Sequence, residues 1–255
     1  MVLATMALIM TKQPQQPEIA VGGHAARRPV RSFVRRAGRL TDGQKRALHD
    51  LLPRYGAGES GHALDLARLF GNDQPVILEI GFGNGDATWR MAQAHPEHNF
   101  LGAEVHQPGI GRLLLALERE GIENVRVVCA DAVELLRDRI AESALDGVRI
   151  FFPDPWPKKR HHKRRMINPE FVELLASRMK TGAILHLATD WAPYAEHMLN
   201  VLRGSRNFDN LAKAGGGSPR PEWRPRTKYE QRGERLGHPV IDLLFRRVAP
   251  AGGGE

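Results

Sequence analysis

The 255-residue sequence predicts a doubly wound α/β fold: a mostly parallel sheet, covered by helices on both faces and closed by an antiparallel final strand. Three observations carry this. From residue 76 onward, short apolar or β-branched runs alternate with helix-like stretches, the rhythm of repeated strand–helix units. The runs are apolar throughout instead of alternating, as strands buried on both faces must be. The chain is also long enough to bury one full core and carry extensions besides.

Taken in order, Thr41 and Gln44 form a capping-box pattern that opens a short helix reaching about Leu52, ahead of Pro53. Val76–Ile80, Phe100–Glu104, Val125–Cys129, Val148–Phe152 and Ala183–Ala188 are the strand candidates, with helical patterns near 86–94, 109–120, 131–140 and 168–179 between them. Asp131 and Asn168 suit N-caps, Pro169 a first helical position and Gly121 a stop. Gly215–Ser218 reads as a flexible loop and Val240–Phe245 as the last strand. Residues 1–40 are expected to be a disordered, basic extension, 41–248 the folded domain and 249–255 a mobile tail.

Hydrophobic residues make up 42% of the chain, a globular content, and no run approaches the roughly 20 apolar residues needed to cross a bilayer. Met1–Met10 is apolar but short, without a basic flank or clear cleavage site, which argues against a signal peptide. Cys129 is the single cysteine, so an internal disulfide and a cysteine-clustered metal site are excluded and a cytoplasmic address is expected. The net charge of +8 is local. Arg27, Arg28, Arg31, Arg35, Arg36 and Arg39 form one cluster, with Phe33 among them. Lys158, Lys159, Arg160, Lys163, Arg164 and Arg165 form another, enclosing His161 and His162, and the rest of the chain is net acidic. One such cluster is explained well enough as a solvated charge run. Two, one of them beside a candidate active site, point to a polyanionic partner, because neutralised phosphates release counterions.

In a doubly wound sheet, ligands bind at the carboxyl ends of the strands, so the residues just past each strand are informative. The first strand runs into Glu79-Ile80-Gly81-Phe82-Gly83-Asn84-Gly85. Glycines such as Gly81 let the backbone turn tightly and approach a ligand without a Cβ in the way. A dinucleotide fingerprint would place its third glycine where Asp86 stands, and no P-loop lysine comes after it. Glu79 opposes phosphate and suits a cation, such as S-adenosylmethionine with its ammonium and sulfonium groups. Glu104 ends the second strand at about the distance where an acid meets ribose hydroxyls in this fold. Asp131 stands just past the third strand, placed to accept a hydrogen bond from an adenine amino group. Singly, each is an ordinary cap or surface acid. Three acids at three successive strand ends, beside a Gly-x-Gly-x-Gly turn, form the pattern of Rossmann-like, class I S-adenosylmethionine-dependent methyltransferases.

The fourth strand ends in Phe151-Phe152-Pro153-Asp154-Pro155-Trp156-Pro157-Lys158-Lys159. The alternating prolines forbid helix and are expected to hold the segment extended, presenting Asp154 and Trp156 rigidly. The plainer alternative is that Trp156 packs on the sheet while the prolines break the strand. This loop, together with Leu78–Gly85, Ala188-Thr189-Asp190-Trp191 and Thr227-Lys228-Tyr229-Glu230-Gln231-Arg232-Gly233, resembles bacterial tRNA (guanine-N7-)-methyltransferases over roughly Arg31 to Arg247. The resemblance implies methyl transfer from S-adenosylmethionine to a variable-loop guanine in tRNA, without a metal and without an obligate protein partner. It implies that Glu79, Gly81, Glu104, Asp131 and Asp154 line the cofactor pocket, Asp154 being catalytic. Lys158, Asp190, Thr227, Lys228, Tyr229 and Glu230 would contact substrate. Arg160, His161, His162, Lys163, Arg164 and Arg165 would meet RNA.

The chemistry is coherent by itself. Guanine N7 carries a free lone pair at neutral pH, so it attacks a sulfonium methyl without first losing a proton. Catalysis then consists of alignment plus electrostatic support for a base becoming cationic. A carboxylate accepting hydrogen bonds from guanine N1–H and the 2-amino group supplies both, a task expected of Asp154 and shared with Asp190. Lys158 and Lys228 suit phosphate or base oxygens. Tyr229 suits either stacking on a base or packing beneath the last strand. His161 and His162 read as part of a phosphate-binding face, with no third metal ligand nearby. Three alternatives compete. An exocyclic amino-group (adenine N6-type) methyltransferase also places an Asp or Asn with prolines and an aromatic after the fourth strand. A small-molecule methyltransferase leaves both basic clusters unexplained, and a non-catalytic RNA-binding module leaves the intact acid set unexplained.

Overall fold

The computed structural model describes residues 39–58, 63–235 and 237–249; the expected basic extension and the tail lie almost wholly outside them. Seven strands form one sheet: β1 (Val76–Ile80), β2 (Asn99–Ala103), β3 (Val125–Val128), β4 (Leu145–Phe151), β5 (Met179–Thr189), β6 (Phe208–Asn210) and β7 (Ile241–Arg247). Their order is β3-β2-β1-β4-β5-β7-β6. The first five are parallel, and β7 runs antiparallel to both β5 and β6. The doubly wound sheet and its antiparallel final strand are therefore as the sequence predicts. Strand order reverses between β1 and β4, which opens a crevice at their carboxyl ends.

The helices are α1 (Asp42–Asp50), α2 (Leu52–Tyr55), α3 (Leu66–Phe70), α4 (Asp86–Ala94), α5 (Gln107–Glu120), α6 (Ala132–Asp138), α7 (Pro169–Arg178), α8 (Ala192–Arg203) and α9 (Lys228–Arg235). Strand side chains alternate between the two faces, and the core divides accordingly. Val76, Leu78, Ile80, Val148, Ile150, Leu185 and Leu187 face one side with Leu135, Phe171 and Met198 from α6, α7 and α8. Ile77, Phe100 and Val127 face the other, with Ala47, Met91, Ile110 and Leu113 from α1, α4 and α5. Each fully buried leucine or isoleucine contributes about 1.5–3 kcal/mol relative to an exposed one. Among the described residues, no helix is long and apolar enough to cross a membrane.

The capping box forms as expected: Thr41 Oγ1 accepts from Gln44 N at 3.2 Å, and Gln44 Oε1 accepts from Thr41 N at 2.9 Å. Helix α1 ends at Asp50, ahead of Pro53 as expected, and Pro53 itself sits in the first turn of α2, a position where its missing N–H costs nothing. Gly215–Ser218, expected to be flexible, is tied down. Asn210 Nδ2 donates to Gly215 O at 2.9 Å, and Ser218 N donates to Asp242 O at 2.7 Å. Five elements, α2, α3, α8, α9 and β6, were not among those expected. The α8 signal is present in the chain, with Pro193 in its first turn and Tyr194, Ala195, Met198 and Leu202 buried on one stripe. The three-residue β6 carries too short a pattern to read.

Candidate active site

Because the parallel strands stand in the order β3-β2-β1-β4-β5, the expected acids fall along one carboxyl edge in the sequence Asp131, Glu104, Glu79, Asp154, Asp190. The glycine loop leaves β1 with left-handed backbone at Gly81 (φ 71°) and Gly83 (φ 57°), a conformation that β-carbon sterics penalise in other residues. A Cβ built on either would meet no atom within 4 Å, so the loop opens onto free space. At Gly109 the constraint is proximity: a Cβ there would lie 2.1 Å from Gly83 O, where the start of α5 crosses the loop. Glu104 fastens this crossing. Its Oε2 accepts from Gly83 N at 2.8 Å, while Oε1 accepts from Val105 N at 2.7 Å and His106 N at 2.9 Å. Asp131 is the N-cap of α6, its Oδ1 accepting from Val133 N at 2.8 Å and Glu134 N at 3.2 Å. Both acids thus hold backbone in place at the carboxyl edge of the sheet.

Glu79 differs. It is 2% exposed, and its Oε2 has no hydrogen-bond partner among the described residues. Burial pushes its pKa up to about 7, against the pull of the nearby Thr88 hydroxyl and of the Arg149 guanidinium. Arg149 is Glu79's register partner on β4. Burial lowers Arg149 to about 10, with Glu79 opposing. Register continues the row from Arg149 to His186 on β5. A band of polar side chains therefore crosses the α4–α5 face of the sheet beneath the site.

The loop after β4 corrects the expectation of an extended segment. Phe152 (φ 53°) and Trp156 (φ 44°) both take left-handed backbone, a strain of about 1–3 kcal/mol each that surrounding contacts must hold. A 3₁₀ turn then spans Lys159–Arg164. It folds back on the loop: His161 meets the Trp156 ring edge-on with centroids 5.8 Å apart, and the Arg164 guanidinium lies 4.9 Å from that ring's centroid. Trp156 accordingly packs against the basic turn. Arg165 is 5% exposed, donates from Nε to Pro155 O at 3.0 Å and lies over the Tyr194 ring. It anchors the loop, whereas Lys158, Arg160 and Lys163 stay exposed and His161, His162 and Arg164 are half-buried. His161 titrates below the ordinary histidine range through partial desolvation and the surrounding cations. Asp154 is exposed, close enough to Tyr194 to help burial raise that phenol to about 12.

The last part of the site rests on residues that were not among the sequence candidates. Arg224 is 1% exposed and donates to Glu230 from Nη1 at 2.8 Å and Nη2 at 2.7 Å; Nη2 also reaches Asp242 Oδ2 at 2.9 Å. His186 Nε2 lies 2.7 Å from Asp242 Oδ1, and its ring meets Phe151 edge-on at 4.9 Å, at the root of the proline loop. Burial alone raises Asp242, but His186 and Arg224 outweigh it and hold the carboxyl below its usual range. Burial keeps His186 low as well. Glu230 is thus buried at 2% exposure against Arg224. Thr227 is N-terminal to α9, its Oγ1 accepting from Glu230 N at 3.2 Å. The α9 backbone approaches Asp190, with a Cβ at Gly233 falling 3.9 Å from Asp190 Oδ2. The side chains of Lys228 and Tyr229 lie outside the described residues. Only the charged residues inside an apolar strand, His186 and Asp242, offered a sequence signal; Arg224 offered none. Far from this edge, at the amino ends of the strands, His95, Glu97 and His98 bring potential ligand atoms within 4.8 Å of one another.

Comparison with known proteins agrees with this fold. A solved structure of a mutant 16S rRNA (adenine(1408)-N(1))-methyltransferase from Catenulisporales acidiphilia matches with a TM-score of 0.53 at 15% identity, covering 76% of this chain and 98% of that one; the likeness is one of fold. The family model described as "Putative methyltransferase" matches residues 73–243. Fold and site together define a Rossmann-like methyltransferase. A tRNA (guanine-N(7)-)-methyltransferase of Streptomyces avermitilis is 52% identical over 237 residues, covering 93% of this chain and 82% of the relative. One from Nitrosospira multiformis is 54% identical, covering 88% and 97% respectively. The chain belongs to the tRNA (guanine-N(7)-)-methyltransferase family.

Proposed function

We propose that the protein transfers a methyl group from S-adenosylmethionine to N7 of a guanine in the variable loop of tRNA. The observation that carries this is the carboxylate row at the strand tips, with the buried, unpartnered Glu79 oxygen at its centre beside an open glycine loop. That environment suits a cationic group: a positive centre supplies the partner that Glu79 lacks and restores its charge. S-adenosylmethionine, when bound, presents a methyl that the N7 lone pair takes directly, a nitrogen–carbon bond forming as the carbon–sulfur bond breaks. The protein need remove no proton for that step. Glu104 fixes the loop amide and retains lone pairs for a ribose hydroxyl. Asp154 accepts from guanine N1–H and the 2-amino group, orienting the ring and favouring its developing positive charge, with Asp190 assisting. Lys158 and the Thr227–Glu230 segment hold the substrate, the latter through backbone and hydroxyl positions that Arg224 keeps in place. Arg160, His161, His162, Lys163 and Arg164 face the RNA, and Arg165 keeps the loop that presents them. The reaction belongs in the cytoplasm.

The test is to incubate the pure protein with unmodified tRNA and labelled cofactor and map the modified nucleoside. 7-Methylguanosine is expected, and N6-methyladenosine would mean an amino-group enzyme instead. A charged hydrogen-bond partner contributes about 1.5–3 kcal/mol, so Asp154→Asn should lower turnover about 10- to 100-fold while the protein stays folded. Near-normal turnover in that variant removes Asp154 from the catalytic role.

A further inference from the structure

Neither basic cluster of the sequence includes the groove between α4 and α5. A cavity of about 350 Å³ lies there, lined by Asp86, Trp89 and Arg90 from α4, by Arg112, Leu115 and Arg119 from α5, and by Thr227. Arg112, Leu115 and Arg119 share one stripe of α5 by helical spacing. Arg119 bonds Glu120 at 2.8 Å. The Arg90 guanidinium lies 5.2 Å from the Trp89 ring centroid, a contact that holds a cation without neutralising it. Among the described residues, neither Arg90 nor Arg112 has a carboxylate partner, and Leu115 is 39% exposed. The groove therefore carries three guanidinium groups against the single Asp86 carboxylate of its lining, beside an indole and an exposed apolar side chain. Thr227 of its lining also begins the segment assigned to the substrate.

We propose that this groove binds the sugar–phosphate backbone of the tRNA strand leaving the target base, a reading that rests on the function proposed above. Guanidinium forks match phosphate oxygens in pairs, and such contacts fix register without reading sequence. Thr227 both lines the groove and begins the segment assigned to the substrate, so a strand held at that segment has Arg112 and Arg90 within the adjoining cavity. The test measures tRNA affinity of the full-length protein across a potassium chloride series. Arg90→Ala/Arg112→Ala should weaken tRNA binding about 100-fold, the worth of two charge-assisted contacts at the lower end of their range. It should also flatten the slope of log affinity against log salt by about 1.4–1.8, with cofactor affinity unchanged. Arg112→Lys should recover most of the slope that Arg112→Ala loses. Arg206→Ala, at the opposite end of the sheet, is the control and should bind as the parent does. A double variant with the parent's slope, or an equal loss in the Arg206 control, overturns the proposal. Binding is read separately from methylation: a parent that makes no 7-methylguanosine sinks the functional reading, whereas a methylating parent with unaffected variants sinks only the groove.

Discussion

At the scale of single residues, Glu79 has the most measurable consequence. Its folded pKa stands at about 7, above the ordinary glutamate range, because burial disfavours its charge. A carboxyl raised in this way contributes its full share to stability below the unfolded pKa and loses it as pH rises through the folded one. Ionising it in the free protein costs about 3 kcal/mol of stability. The thermal midpoint of the cofactor-free protein should therefore decline between about pH 4.5 and pH 7, and Glu79→Gln should flatten that decline. A cationic ligand reverses the preference, so S-adenosylmethionine should release a proton on binding and bind more tightly as pH rises through the same window. Calorimetry in buffers of different ionisation enthalpy detects the released proton. Equal pH profiles for parent and variant would show that Glu79 faces no cation.

At the scale of elements, α9, β5 and β7 are joined by a buried charge network. Arg224 satisfies Glu230 at the start of α9 and Asp242 on β7, and His186 on β5 completes the set. Removing one member of a buried ion pair leaves the other uncompensated, at a cost of about 3–5 kcal/mol. Arg224→Met should lower the denaturation free energy by that amount and raise the KM for tRNA more than the Kd for cofactor, because α9 loses its tie to the sheet. A loss below about 1 kcal/mol, the level of an exposed pair, would show that the network carries little. Asp242 and His186 both titrate low in the folded state, so the stability they contribute is present near neutrality and disappears as pH falls through their folded values. The helix tied into this network is hard to recognise along the chain. Six of the eight residues of α9 are charged or carry a side-chain amide, which leaves no apolar stripe to detect, yet Glu230 among them lies fully inside.

At the scale of the molecule, charge is distributed for a long polyanion. The exposed part of the basic turn and the α4–α5 groove lie on the two sides of the acid row, and the arginine-rich segment before residue 40 adds six further positive charges in sequence. Deleting residues 1–39 should weaken tRNA binding and reduce its salt dependence while cofactor affinity stays constant. An unchanged salt slope in the truncated protein would make that segment a bystander.

Local signals determined much of this protein. Apolar runs placed six of the seven strands, caps and glycines placed the main helix boundaries, and the ends of successive strands named the carboxylates that fall along one edge of the sheet. These features are legible because backbone conformation and burial periodicity are properties of neighbouring residues. Tertiary structure alone decided which charges face inward. Arg165 and Glu230 lie in polar stretches yet are buried, while Arg90 and Arg112, scattered among helical residues, converge on a groove. The register of β1, β4 and β5 sets Glu79, Arg149 and His186 side by side. Such partnerships join residues far apart in the chain, and only strand order and helix packing bring them within a few ångströms, where desolvation makes each one costly to lose.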